Sequence, residues 1–448
     1  YILFLTFIIL FGCSKDDSVD LSNAISIFQS KTTISFVNKK ERENSQLENL
    51  SNLKEILNSK SYNLNNSKIN FPIKQLHFNK QWEIDTNQSV DDKNPYLPDP
   101  LFVASKIYLL NNNGYLFKIN SIDGKILWKK QIFKDLENTI IGTPAISAAK
   151  NVFGVKEDSI TLYAHNGSNI LLAINGDNGK IIWEKKRDLP FRGGITSFKN
   201  FIFASDFDGN FLAIDNRNGD TLWNVFLGSE YNSVYTTARP IIAKNKIIVP
   251  ATGGTFFIIS IDTGEVLFSE NISSNYQLPK LFHTGDIVAN PLYKNGIVYI
   301  VSQAGFTAAF DLETSETLWN VPIGGFETPV VSGKTIFIIG NMGQLAAIDT
   351  VSGKLRWEKS FPSYLYKNSF FKEEEIAIYK GPTLVDSKIL ISNQKGMIII
   401  IDADNGTEID TLNLWLAYTP SESVSKWNSS YSTSPKGCEI NDVVLGVW

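Results

Sequence analysis

Residues able to do chemistry are few in this chain, and most of them recur. Carboxylates or amides stand four residues ahead of a glycine position at Asn120, Asn175, Asp215, Asp311, Asp349 and Asp402, and Ser260 takes the same place once. Taken singly they look like cation ligands. Repeated at a constant offset, they read as turn elements whose side-chain oxygens accept bonds from nearby backbone N–H groups. The three histidines, His77, His165 and His283, lie far apart without metal-ligand spacing, so each reads as a surface or packing residue. No Ser–His–Asp arrangement, CxxC pair or Gly-rich phosphate loop stands out. The expectation is a protein without catalysis, bound metal, cofactor or small-molecule substrate, whose function lies in binding surfaces.

These turns belong to a longer phrase. SIDGKILW (121–128), DNRNGDTLW (215–223) and DTVSGKLRW (349–357) are clear copies, and successive anchors lie 38 to 55 residues apart. Trp128, Trp183, Trp223, Trp319 and Trp357 fall four residues after the glycine position; Phe268 and Asp410 fill it in two copies. Glycine supplies φ > 0 at the corner in six copies, and Ser315 replaces it in one, at a cost in strain. A second marker, Pro100, Pro144, Pro240, Pro291, Pro329 or Pro382, precedes an apolar strand, with Gly194 in that place once. A period of this size fits one four-stranded blade.

Seven such units are countable, and Trp82, within 77–85, is an eighth Trp strand with no inner strands before it. The fold class expected is all-β: an eight-bladed β-propeller of four-stranded antiparallel blades. Closure would pair the Trp82 strand with strands from the C-terminal end, leaving no open edge. Residues 441–446, after Ser434-Pro435, are expected to be the first inner strand of that blade. The sequence stops at Trp448, so the last blade is expected to be incomplete.

Composition and the N-terminal region bound the rest. A net charge of −4, with no large basic run, argues against nucleic acid as a partner. Residues 2–11 are almost unbroken apolar, too short to span a bilayer but suited to a signal-peptide core. The absence of an initiator Met predicts that the signal begins upstream. Residues 10–13, Leu-Phe-Gly-Cys, resemble a bacterial lipobox, which implies lipidation of Cys13; Ser14 after it implies sorting to the outer membrane. With Cys13 lipidated, Cys438 has no disulfide partner. The domain reading is a signal peptide at 1–12, a lipid-anchored flexible tether at 13–74 with a short helix around 41–57, and the propeller at 75–448.

The A-x-D-x-x-x-G-x-x-x-W pattern, clearest at 213–223 and 347–357, resembles the pyrroloquinoline-quinone-type repeat. Quinoprotein dehydrogenases and the BamB family of outer-membrane assembly lipoproteins both carry it. Residues 285–325 and 327–340 closely resemble the BamB family. That resemblance implies a scaffold at the periplasmic face of the outer membrane, binding the POTRA domains of the central barrel subunit, BamA. Asp286 matches the first acidic position of the family's D-x-D-x-x-P-like segment, whereas Val288 replaces the second. Leu189, Phe191 and Arg192 match its L-x-[L/F]-R-G loop by local sequence, and both segments imply partner contact. Counting blades from Asp286 instead places that loop near 231–240, where Arg239 is the only Arg. An Arg between apolar residues has the make-up of an interface hot spot. The quinoprotein alternative needs a carboxylate base, a cation cage and, in its alcohol dehydrogenases, adjacent cysteines, which are lacking here. A generic envelope protein-binding propeller is the third reading.

Overall fold

The computed structural model describes residues 77–88, 100–134, 144–228, 238–272, 285–413, 422–430 and 443–447, except 104, 112, 151, 153–158, 304, 342, 369–372 and 386. All belong to one compact unit, 53–448. Cys13, the signal and tether segments, His283, Ser434-Pro435 and Cys438 lie outside the described residues.

Seven four-stranded antiparallel sheets follow one another, each ordered as its strands occur in sequence. They occupy 101–131, 145–186, 191–226, 241–271, 292–321, 330–360 and 379–413, here blades 1 to 7. The two middle strands of a blade, such as Lys246–Pro250 and Thr255–Ser260 in blade 4, are largely buried, and their runs of Ile, Val and Phe need no polar alternation. The inner strands of five blades begin just after Pro100, Pro144, Pro240, Pro291 and Pro329, where no ladder donor is required. Blade 7 differs from expectation. Its inner strand, Tyr379–Val385, runs through Pro382, and the ladder skips from Lys380 to Thr383, so the proline sits in a bulge. Blade 3 has a matching skip between Arg192 and Thr196 around Gly194.

The turn residues behave as local chemistry dictates. Asn120, Asn175, Asp215, Asp311, Asp349 and Asp402 each accept a backbone N–H two residues on through Oδ1, at 2.8–3.2 Å. Immediately after each turn, one residue of the outer strand drops out of the ladder: Leu127, Ile182, Leu222, Leu267, Leu318, Arg356 and Ile409 in order. A bulge in every outer strand interrupts the free edge against edge-to-edge pairing.

Blades meet through the tryptophans. Trp82, Trp128, Trp183, Trp223, Trp319 and Trp357 each lie on the turn glycine of the following blade, where an added Cβ would sit 2.5–3.2 Å from the indole. Five of them donate Nε1–H to a carbonyl in that turn, those of Ser121, Asn216, Ile261, Thr350 and Ala403. Trp128 does not. Gly176 O, the corresponding acceptor, takes the Tyr108 hydroxyl at 3.1 Å, and the buried Trp128 Nε1 has no partner. The seam between blades 4 and 5 departs from this in size. Phe268 stands in the Trp position and Ser315, at φ 61°, in the glycine position of the next turn. A ring smaller than indole is what a Cβ at the corner position requires.

An eighth sheet joins the two ends of the described chain. His77–Gln88 pairs with Glu422–Ser430, which pairs with Val443–Val447. Trp82 and Ile84 pack on the blade 1 residues Ile107, Leu109, Phe117 and Ile119. The expectation for 441–446 is corrected here. Val443–Val447 lies two places from the Trp82 strand, and the strand beside Trp82 is Glu422–Ser430, whose Ser-rich sequence carries a weak strand signal.

The size match at the blade 4–5 seam is testable. Phe268→Trp and Ser315→Gly made together should be more stable than the two single effects summed, by about 1 kcal/mol. Urea unfolding of the four proteins measures this coupling; strict additivity would contradict the size match.

Candidate partner-binding site

Within each blade the acidic turns lie at one end of the strands, so the loops entering the inner strands gather at the other end. There, blades 3, 4 and 5 are held together by one carboxylate. Asp286, on the segment entering blade 5, faces Arg192 at the start of blade 3's inner strand, with Nη2 and Oδ2 3.9 Å apart. Asp286 Oδ1 also accepts Gly253 N–H at 2.8 Å, from the connection between the middle strands of blade 4. Its own carbonyl receives Gln303 N–H. Both charged side chains are buried, at 3% exposure for Arg192 and 2% for Asp286. Burial pulls the Arg192 guanidinium below its ordinary pKa, and Asp286 partly restores it. The guanidinium also lies over the Phe207 ring, 5.7 Å from its centroid.

Arg239, the alternative from blade counting, lies beside this pair. Its Cα packs against Gly194, where a Cβ would come within 2.6 Å. Its N–H bonds Asn290 Oδ1 at 2.7 Å, and its Nη2 reaches Ile146 O in blade 2 at 2.9 Å. The two rival positions therefore form one neighbourhood. Residues 231–237 of the second loop lie outside the described residues. Leu189 is half-buried, as are Pro190 and Phe207, whereas Phe191 is fully buried. The arrangement is an apolar rim around charges that are already paired inside.

One anchor of this loop is absent from the sequence-level site. His165, in blade 2, stacks on Phe191 with centroids 5.0 Å apart. Gly167 N–H donates to His165 Nδ1, so the proton sits on Nε2, which donates to Gly193 O at 3.0 Å. Burial pushes its pKa down to about 3, leaving the ring neutral. Phe191 N–H adds a bond to Ser168 O. The His-Asn-Gly-Ser run at 165–168, with turn-forming residues after a strand, was the available signal. Among the described residues, no three His, Cys, Asp or Glu side chains gather where they could hold a metal ion.

Comparison with known proteins identifies the family. The family model described as outer membrane protein assembly factor BamB matches residues 79–192, 112–359 and 328–435. The chain belongs to the BamB family. An uncharacterised protein of Rickettsia prowazekii (strain Madrid E) is 24% identical over 59% of this chain, which spans 62% of that relative's length. BamB of Moranella endobia (strain PCIT) is 21% identical over 68% of this chain and 75% of its own. Among solved structures, BamB of Moraxella catarrhalis aligns with a TM-score of 0.61 at 14% identity, covering 78% of this chain and 96% of that one. The quinohemoprotein alcohol dehydrogenase of Comamonas testosteroni aligns at 0.51 and 10% identity, a likeness of fold.

Two outcomes test how this loop neighbourhood is held. Asp286→Ala should cost about 3–5 kcal/mol in urea unfolding, because it takes the carboxylate away from the buried Arg192, whereas Arg192→Met with Asp286→Leu should cost less. For His165, the unfolded chain titrates near 6.5 and the folded one near 3. Between those values only the unfolded state takes up the proton, so stability is full above about pH 6.5 and falls as pH drops toward 3. Thermal melts across that range should show this slope, flattened in His165→Gln.

Proposed function

We propose that this protein is a non-catalytic scaffold lipoprotein of the outer-membrane β-barrel assembly machinery, tethered through Cys13 at the periplasmic face. It binds the POTRA domains of a BamA-like subunit through the end of the propeller where blades 3 to 5 converge. The observation that supports this most is the construction of the Leu189–Gly193 loop. Its apolar edge is partly exposed on blades fixed by the Arg192–Asp286 pair, by Arg239 and by His165. A pre-formed loop loses little freedom on association, so its contact area is not spent on ordering. In this reading Leu189 and Phe207 make contact, while Arg192, Asp286 and Arg239 hold the shape from within. Family membership and the fold likeness to Moraxella BamB support the same assignment. The quinoprotein reading draws only on the shared repeat pattern and on likeness of fold.

Leu189→Asp should weaken binding to isolated POTRA domains by about tenfold or more, a loss on the scale of a hot-spot residue. Its melting temperature should stay unchanged. Binding equal to wild type in a titration would move the interface elsewhere on the propeller.

A further inference from the structure

The outer strands of the blades differ in charge by side. Across 125–134 and 180–187, the outer strands of blades 1 and 2 with their flanks, stand Lys125, Lys129, Lys130, Lys134, Lys180, Lys185, Lys186 and Arg187 against the single acid Glu184. The corresponding segments 220–227, 265–272, 316–323 and 407–413, in blades 3, 4, 5 and 7, contain no Lys or Arg and carry Asp220, Glu265, Glu270, Glu316, Glu408 and Asp410. Blade 6 has three cations, Lys354, Arg356 and Lys359, of which Arg356 is paired with Asp349 and Lys359 with Glu408.

Blades 1 and 2 are adjacent, since Trp128 rests on Gly179. Of their cations, Lys185 pairs with Asp220 and Arg187 donates to Thr221. Lys129 lies over the Tyr115 and Phe117 rings. Among the described residues no carboxylate pairs with Lys125, Lys129, Lys130, Lys134, Lys180 or Lys186, and all six are exposed. Asp123, Asp177 and Asp188 border the stripe, and Asp177 faces Lys118. Between the lysines stand Ile126, Leu127, Ile181 and Ile182, each 40–47% exposed.

We propose that this stripe is a contact surface for an anionic lipid bilayer. Lysines flanking exposed aliphatic side chains can meet phosphate headgroups while the aliphatics enter the interface. The composition disfavours a protein partner, because protein interfaces are enriched in aromatic residues and Arg and depleted in Lys. The opposite-sign blades would turn away from the same surface, so the charge pattern also orients the body. This inference is independent of the POTRA assignment.

The test uses the full chain carrying Cys13→Ser and Cys438→Ser, with one environment-sensitive fluorophore at Leu127→Cys, Ile182→Cys or Leu222→Cys. All three are bulge positions, the last beside Asp220 in blade 3. With phosphatidylcholine vesicles containing phosphatidylglycerol, emission should shift to the blue at 127 and 182 but not at 222. The shift should vanish with pure phosphatidylcholine and in high salt. Lys125→Glu, Lys129→Glu and Lys186→Glu together should reduce vesicle affinity by at least about tenfold, with an unchanged melting temperature. No shift, or equal shifts at 127 and 222, would overturn the proposal. So would binding to polyglutamate without a vesicle-induced shift, which would assign the stripe to an acidic protein.

Discussion

Contact between an indole and the bare backbone of the next blade's turn is the constraint on which the remaining architecture rests. A single four-stranded blade has two apolar faces and no means of burying either alone. The indole covers one seam, and the glycine beneath it lets the rings approach the peptide plane as no side-chain-bearing residue would allow. Because the indole nitrogen also donates to a turn carbonyl in five seams, the contact sets rotation as well as distance between blades. At the seam between blades 4 and 5 both positions change together, a smaller ring at Phe268 and a Cβ at Ser315, as the same steric rule requires.

At the opposite end of the strands the blades converge on a buried charge pair. Removing Arg192 and Asp286 from water is costly, and a separation of 3.9 Å returns only part of it. The backbone N–H of Gly253 supplies a further bond to the carboxylate, and the Phe207 face lies against the guanidinium. Three blades must be in place before all these groups converge. The pair is therefore better suited to specifying one arrangement of the loops than to adding net stability.

How much of this could be read from the sequence varied with how local the cause was. The turn carboxylates, corner glycines and the tryptophan offset were legible because each acts within ten residues. Phe268 and Ser315 stood out singly, but their relation spans a seam between blades and emerges only in three dimensions. Arg192 and Asp286 each stand in a segment that resembles a family contact loop, yet nothing in their flanking residues says that they meet. They lie two blades apart in sequence and turn inward. His165 lacks any ligand spacing that would mark it, since a histidine that shapes a loop needs only one carbonyl and one ring. Pro382 marked its blade but not its bulge, and Glu422–Ser430 lacks the apolar run that betrays the other strands.

The sheet that unites His77–Gln88 with Glu422–Ser430 has a consequence for the order of assembly. Its first strand leaves the ribosome before any other described element and finds its partner only after more than three hundred further residues have been made. Blades 1 to 7 are each built from neighbours in sequence and can form in succession, whereas this strand must wait. During that interval Trp82 has its seat on blade 1 available while its backbone edge stays unoccupied. This sheet is thus a clasp fastened last, and the earliest-made of the described strands depends for its partner on one of the last.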